Sequence, residues 1–284
     1  MEITERIASP DGITVKYLQT VSGGISVETT YVNRPEKHII CFSSQVGCAV
    51  GCKFCSSGIV SRFKRSLTKS EIVNQCANVL AEIDFMTSPK PLLLSCMGEG
   101  EPFLNFDAVV DSFRALSATP LGPTPIRLAV STSGIRPDLI RKLGGIEFSV
   151  PLKIQVSLHG ATDEVRRKIV PVTAPLAKII PAVRDYLQQC NRAVDWNYVM
   201  CKGINDSPAH AQQLAGLLEQ GWHVKFNRLN RATNSSFLPA PRERVEEFRR
   251  ILEEGGISTE YYETDGADIA ASCGQLSYRF NEKH

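Results

Sequence analysis

No stretch of this 284-residue chain approaches the roughly 18–20 consecutive apolar residues that a membrane span needs, so no membrane association is expected. The opening residues, MEITERIASPDG, have neither the apolar core of a secretory signal nor an Arg-rich transit pattern, which points to a cytoplasmic protein. An excess of one charge is also missing. Thirty-two Lys and Arg stand against 30 Asp and Glu, a net of +2 with His neutral, so the chain as a whole is no polycation. Nucleic-acid contacts would have to come from a local run such as Arg62-Phe63-Lys64-Arg65 or Arg166-Arg167-Lys168, and each of these also reads as a solvated helix or loop face. Repeats and low-complexity segments are absent. With 43% apolar and 22% charged residues the composition is that of an ordinary soluble protein with a sizeable core, large enough for one large domain or two small ones.

What is present is an ordered alternation of strand and helix patterns. Residues 13–18 and 25–32 alternate apolar and polar around the turn Val21-Ser22-Gly23-Gly24, which predicts a hairpin in an N-terminal β extension over 1–37. From residue 38 onward, short apolar runs at 38–43, 92–96, 126–131, 154–158, 194–200 and 224–229 predict strands, with a last strand at 259–263. Between them lie helical stretches: one opened by the capping box Thr68-x-x-Glu71, then 106–116, 137–143, 176–189, 209–219 and 242–254. The segment 119–125, TPLGPTP, reads as a loop. Alternating strands and helices imply βαβ units and a parallel sheet. Six units fit a partial (β/α)6 TIM-like barrel over 38–284, with a doubly wound sheet as the rival. In either, ligands gather at the C-terminal ends of the strands.

The nine cysteines are an odd number without a secretory signal, which argues against a disulfide framework and for a reducing compartment. Cys48, Cys52 and Cys55 form a C-x3-C-x2-C cluster directly after the first predicted barrel strand. Three thiolates suit zinc or an iron–sulfur cluster. A closed structural zinc site wants four ligands, often from two C-x2-C pairs, and no second pair exists here. Three cysteines on a four-iron cluster leave one iron open to a ligand. Cys76, Cys96, Cys190 and Cys201 read as buried thiols, the default for an isolated cysteine.

The triad, with Phe54 just before its third cysteine, resembles the signature of radical S-adenosylmethionine (SAM) enzymes. That resemblance implies a 4Fe–4S cluster on Cys48, Cys52 and Cys55 whose open iron chelates SAM. Gly98-Glu99-Gly100-Glu101-Pro102, after the second barrel strand, resembles the superfamily's GEP segment, which implies that Gly100 and Glu101 hold the SAM amino group. Ser131, Ser157-Leu158-His159 and Asn230 end the third, fourth and sixth barrel strands and are the remaining SAM-binding candidates, with Phe54.

Three further features resemble the RlmN/Cfr family of radical SAM RNA methyltransferases, over about residues 11–279. Cys41 sits seven residues before Cys48 in CFSSQVGC, Cys273 lies in the ACGQL-like segment SCGQL, and Glu28 lies thirteen residues before Cys41. The resemblance implies methylation of C2 or C8 of an adenine, most readily in RNA, through an S-methylcysteine at Cys273. The resemblance further implies that two SAM are used per turnover, that Cys41 resolves the adduct as a transient disulfide, and that Glu28 acts as general base. It also implies a flavodoxin-type electron donor; the oligomeric state is open, with a monomer the default expectation. On the residues alone, Cys41 also reads as a buried thiol and Glu28 as an ordinary strand residue.

The chain departs from that pattern in two places. The helical domain that family members usually carry ahead of the hairpin is not expected here. RATNSSFLPAPRER after Asn230 replaces the family's proline-rich segment, and NRLN replaces its PWN ending. A compact RNA enzyme using Arg228 and Arg231 for phosphate contacts, and the same chemistry on a small molecule or nucleotide, therefore both remain open. A non-enzymatic metal-binding module leaves Glu101, Ser131, Cys273 and Glu28 without a role.

Overall fold

The computed structural model describes residues 1–83, 85, 88–118, 125–230, 232, 235–263 and 265–276. The loop expected at 119–125 lies, except for Pro125, outside them, as does Arg231. The chain opens with β1 (Glu2–Ala8), β2 (Thr14–Val21) and β3 (Ile25–Arg34), joined antiparallel, and β3 pairs antiparallel with β4 (Lys37–Cys41). The expected hairpin is β2–β3. Gly23 and Gly24 at its tip have φ of 88° and 72°, a left-handed pair that the tight turn requires and glycine supplies without strain. β1 was not legible in the sequence, because glutamates alternate with its two isoleucines and the strand forms an exposed edge.

After β4 the chain makes β5 (Gln45–Val46), α1 (Ser56–Ile59), β6 (Arg65–Ser66) and α2 (Lys69–Glu82), whose capping box is formed as expected: the Thr68 hydroxyl accepts from Glu71 N and the Glu71 side chain accepts from Thr68 N. Then follow β7 (Leu92–Cys96), α3 (Phe106–Ala118), β8 (Ile126–Thr132), α4 (Pro137–Gly144), β9 (Leu152–Ser157), α5 (Asp163–Ile169), α6 (Leu176–Gln189), β10 (Val194–Val199), α7 (Pro208–Leu217), β11 (His223–Asn227), α8 (Arg242–Glu254) and β12 (Ser258–Tyr262). The short helices α1 and α5 were not anticipated.

The sheet has the order β1-β2-β3-β4-β7-β8-β9-β10-β11-β12 and is parallel from β4 to β12. The last predicted strand therefore joins as a seventh parallel strand beyond the six units. The strand order never reverses, so the topological switch point of a doubly wound sheet is missing. The fold is mixed α/β with a mostly parallel sheet, and among the described residues hydrogen bonding leaves it open, because β1 and β12 each have a single neighbour there.

One face of the sheet is apolar and covered by helices. Ile40, Leu94, Leu128, Ile154, Tyr198 and Phe226 pack there against Cys76 and Val79 of α2, Phe113 of α3, Val183 of α6 and Phe248 of α8. The opposite face carries the alternate residues, and eight strands, β3, β4 and β7 to β12, line one cavity with them. A flat sheet at about 4.8 Å per strand could not share one cavity across so many strands. The sheet must curl, and the Arg34 guanidinium of β3 lies 4.7 Å from the centroid of the Tyr262 ring of β12. Polar residues at alternate positions, such as Gln155 and Ser157 in β9, are the inner wall of that curl.

Candidate active site

The loops at the C-terminal ends of the parallel strands converge on this cavity of about 280 Å3. The loop after β4 carries Cys48, Cys52 and Cys55, and all three line it. Three backbone bonds shape the loop: Cys48 N donates to Ser61 O, Lys53 N to Ile169 O, and Ser56 N to Gly274 O. Its inner side rests on a small apolar cluster that includes Val50, Ile169, Val199 and Leu229, against which Cys48, Cys52 and Phe54 pack. Burial is the main cause that pushes each thiol up: Cys48 to about 12, Cys52 well above its ordinary value and Cys55 in the same direction. The charges of Cys48 and Cys55 also raise Cys52, so the three sulfurs are close enough to feel one another. Among the described residues no three His, Cys, Asp or Glu converge on a single-ion site. Three thiols fall one short of the four ligands of a closed zinc site, and they are the donor set of an iron–sulfur cluster with one iron left open.

The segment after β7 wraps under this loop. Gly98 N donates to Phe42 O, Glu99 N to Ser43 Oγ, and Glu101 N to Gln45 Oε1. At Gly100, with φ of 101°, a Cβ would lie 2.6 Å from Gln45 Cβ, so close approach and backbone sign both demand glycine. Glu101 is buried. Its Oε1 accepts from Phe103 N (3.0 Å) and Thr132 Oγ1 (2.7 Å), and its Oε2 from Ser133 N (2.8 Å). Burial raises its pKa against these hydrogen bonds. One carboxylate thus ties the turn after β7 to the turn after β8.

His159, after β9, is buried in a left-handed conformation with φ of 55°. Its Nδ1 accepts from Val199 N at 3.0 Å, which places the proton on Nε2, and the ring meets Phe54 edge-on at 5.1 Å between centroids. Burial, aided by the Arg166 charge, lowers its pKa to about 3, so it is a neutral imidazole. Arg166 itself is fully buried and donates to the carbonyls of Ser133, Ser157, Leu158 and Ala174. It corrects the expectation of a basic patch at 166–168. The guanidinium is a structural fork that pins the ends of β8 and β9, and only Arg167 and Lys168 face solvent. In the other run, Arg62 and Lys64 are exposed while Arg65 is paired with Glu71 at 2.8 Å.

Cys41, at the end of β4, and Cys273, from the far end of the chain, line the same cavity as the triad. Burial pushes Cys41 up to about 12, with the Cys273 charge adding to it, and Cys273 up to about 11, with Lys225 pulling the other way. Cys273 still has its surface open to the cavity. Its segment is clamped to the cluster loop by Ser56 N to Gly274 O (2.7 Å) and Ser57 Oγ to Leu276 O (3.3 Å).

Residues 42–214 match the Radical SAM superfamily. The chain is 36% identical, over 95% of its length, to the probable dual-specificity RNA methyltransferase RlmN of Symbiobacterium thermophilum, of which it covers 73%. It is 35% identical, over 98% of its length, to the protein of the same name from Gloeobacter violaceus, of which it covers 78%. Its fold matches a radical SAM methyltransferase from Sphaerobacter thermophilus with a TM-score of 0.88 at 34% identity, covering 97% of this chain and 81% of that one. The chain belongs to the radical SAM superfamily and, within it, to the RlmN family.

A radical SAM protein works with a 4Fe–4S cluster and SAM, and the polynuclear donor set of Cys48, Cys52 and Cys55 fits that cluster. Of the residues expected to hold SAM, Phe54, Gly100, Glu101, Ser131, Ser157 and His159 line the cavity. Leu158 does not; it is fully buried, and its backbone bonds to Asn197 and Arg166. Asn230 is not part of the lining either, and its side chain donates to Cys273 O at 3.1 Å. Glu28 lies in the next cavity along β3, of about 240 Å3, together with Glu99, Arg62 and Lys64. It shares its strand face with Thr30 and Val32, which line the cysteine cavity.

The sequence reading missed one side of the radical SAM cavity. Lys225, Asn227, Tyr262 and Asp265 line it opposite the cluster loop. The Lys225 ammonium stands 4.1 Å from the centroid of the Tyr262 ring, and Asp265 pairs with Arg34 at 2.6 Å. Polar residues at alternate positions of β9, β10 and β11 were the available signal.

Proposed function

We propose that this radical SAM protein methylates an sp2 carbon, C2 or C8, of an adenine in RNA, with Cys273 carrying the carbon. The RNA methyltransferase name of its relatives supports the substrate class. The single observation that carries the chemistry is that Cys41 and Cys273, from opposite ends of the chain, face one cavity with the cluster cysteines. When bound, the cluster and SAM, fed by a flavodoxin-type donor, supply the one-electron chemistry that removes a hydrogen atom from an S-methyl group.

The chain's own residues do the rest. Cys273 loses its proton, and its thiolate takes the methyl of one SAM as the sulfonium departs as a thioether. The raised thiol pKa of Cys273 makes this step depend on local deprotonation. Once the carbon bridges Cys273 and the base, the adduct holds one unpaired electron; Glu28 takes the ring proton, and the extra electron leaves through the one-electron chemistry that the cluster would supply. Cys41, as thiolate, then attacks the Cys273 sulfur: an S–S bond forms, the S–C bond breaks, and its electron pair goes to the substrate carbon, which takes up a proton to complete the methyl group. Neutral His159, Ser131, Ser157 and the Gly100-Glu101 turn hold SAM, with Glu101 as the anionic partner of its ammonium.

The test is anaerobic turnover with reductant, SAM labelled with a trideuterated methyl group, and RNA, followed by nuclease digestion and mass spectrometry. The proposal expects methyladenosine that has lost one of the three deuterium atoms. Full retention of the label would overturn the radical route, and unlabelled adenosine would overturn RNA as the substrate.

A further inference from the structure

Lys16 is fully buried on the inner side of β2, a costly position for an ammonium unless it is paired. Its Nζ lies 3.3 Å from Glu28 Oε1 on the neighbouring strand and donates at 3.1 Å to the carbonyl of Ala270. Ala270 stands three residues before Cys273 and has φ of 53°, a left-handed conformation that a non-glycine residue holds only where its surroundings impose it. The same strap is fixed on either side of this bond. Gly266 packs so closely on Thr14 that a Cβ would come within 2.6 Å of Thr14 Cγ2, and Thr30 Oγ1 reaches Ala271 O at 3.5 Å. Thr14 and Lys16 of β2, with Glu28 and Thr30 of β3, thus form a platform for the strap. Beyond Cys273 the strap is clamped to the cluster loop instead.

We propose that Lys16 is a positioning residue for the methyl transfer, and that one ammonium both aims the Glu28 carboxylate and sets the height of the Cys273 strap. An ammonium has three donors, so it can serve a carboxylate and a carbonyl together. The inference rests on the roles given above to Glu28 and Cys273. In the step concerned, the proton of the ring carbon passes to the Glu28 carboxylate, the C–H electron pair stays with the ring, and the unpaired electron of the adduct leaves through the one-electron chemistry that the cluster would supply. Lys16 touches neither substrate nor cofactor. It fixes the distance between the group that carries the carbon and the group that takes the proton.

The test compares Lys16→Met, which keeps the length and removes the donors, with Lys16→Gln, which keeps a donor for Ala270 O and removes the charge. Each is made alone and in a Glu28→Gln background, as the full chain reconstituted with its cluster. The readouts are turnover and the mass of the Cys273 peptide. Both single variants are expected to load the methyl group on Cys273, to turn over between about tenfold and a hundredfold more slowly, and to accumulate substrate bridged to Cys273 although Cys41 is present. In the Glu28→Gln background neither should slow adduct release further, because the two residues act as a unit.

Parent-like turnover in both variants overturns the inference. So does an equal further slowing in the Glu28→Gln background, which marks Lys16 as structural only. If Lys16→Met does not fold, Lys16→Gln carries the comparison alone. A parent protein that shows neither methyl nor adduct on Cys273 overturns the underlying reading, and that failure is visible before any variant is made.

Discussion

Glu101→Gln isolates the charge of the carboxylate that ties the two turns together. In the parent, two oxygens take three donors: Thr132 Oγ1 and Phe103 N on one, Ser133 N on the other. A glutamine keeps the shape but has one oxygen. Placing that oxygen on the side of Thr132 and Phe103 saves two bonds and turns an amide NH2 toward the Ser133 N–H, which is then a buried donor without an acceptor, at about 1–3 kcal/mol. Loss of charge weakens the two remaining bonds. Relief of the desolvation that raises the Glu101 pKa offsets part of this. A net loss of about 2 kcal/mol lowers Tm by about 3–4 °C for a chain of this size. Loss of the anionic partner for the SAM ammonium removes a charge-assisted bond worth about 1.5–3 kcal/mol, or roughly tenfold to a hundredfold in Kd. Thermal unfolding under anaerobic conditions gives the first number and equilibrium dialysis with labelled SAM the second. A variant with parent Tm and SAM affinity within twofold of the parent would refute the assignment of Glu101 as both tie and ligand.

Two further outcomes follow from the same geometry. Gly100→Ala, which sets a Cβ at 2.6 Å from Gln45 Cβ on a backbone with φ of 101°, should cost about 3 kcal/mol or more and abolish SAM binding; a denaturant midpoint equal to the parent's would contradict the close approach. His159 is held neutral by a pKa lowered to about 3, so its contribution to stability is complete above the unfolded value of about 6.5 and is lost as pH falls toward 3. Asparagine tolerates the left-handed backbone and can offer an oxygen to Val199 N, so His159→Asn should flatten the decline of stability between about pH 6.5 and 3; an unchanged slope in denaturant titrations across that window would show that His159 is not buried neutral.

How much could be read beforehand depended on the range of the interaction. The cysteine triad and the Thr68 capping box are local, and both were visible as spacing. Cys41, Cys273 and Glu28 needed a family resemblance, because nothing local marks two distant thiols as neighbours; Glu28 and Cys41 sit on the paired strands β3 and β4, and the segment carrying Cys273 folds back over β2 and β3. The curl of the sheet hid Tyr262, Asp265 and Arg34, whose contacts join β12 and the residues after it to β3, and Lys225 reaches the same Tyr262 from the neighbouring β11. Arg166 was misread because three consecutive basic residues look like a surface run, whereas helical periodicity turns the first of them inward onto four carbonyls. Leu158 and Asn230 stood at the right strand ends. Their side chains serve the core and the backbone of Cys273 rather than the cavity lining.

The most direct measurement is mass spectrometry of the Cys273 peptide from Cys41→Ala protein purified anaerobically from cells. With the resolving thiol gone, the substrate should remain bound to Cys273 through a one-carbon bridge, and nuclease digestion should trim it to a nucleotide remnant. An adduct that nuclease leaves untouched would contradict RNA as the substrate. A Cys273 with neither adduct nor methyl group, even after incubation with SAM, would contradict the account at its centre.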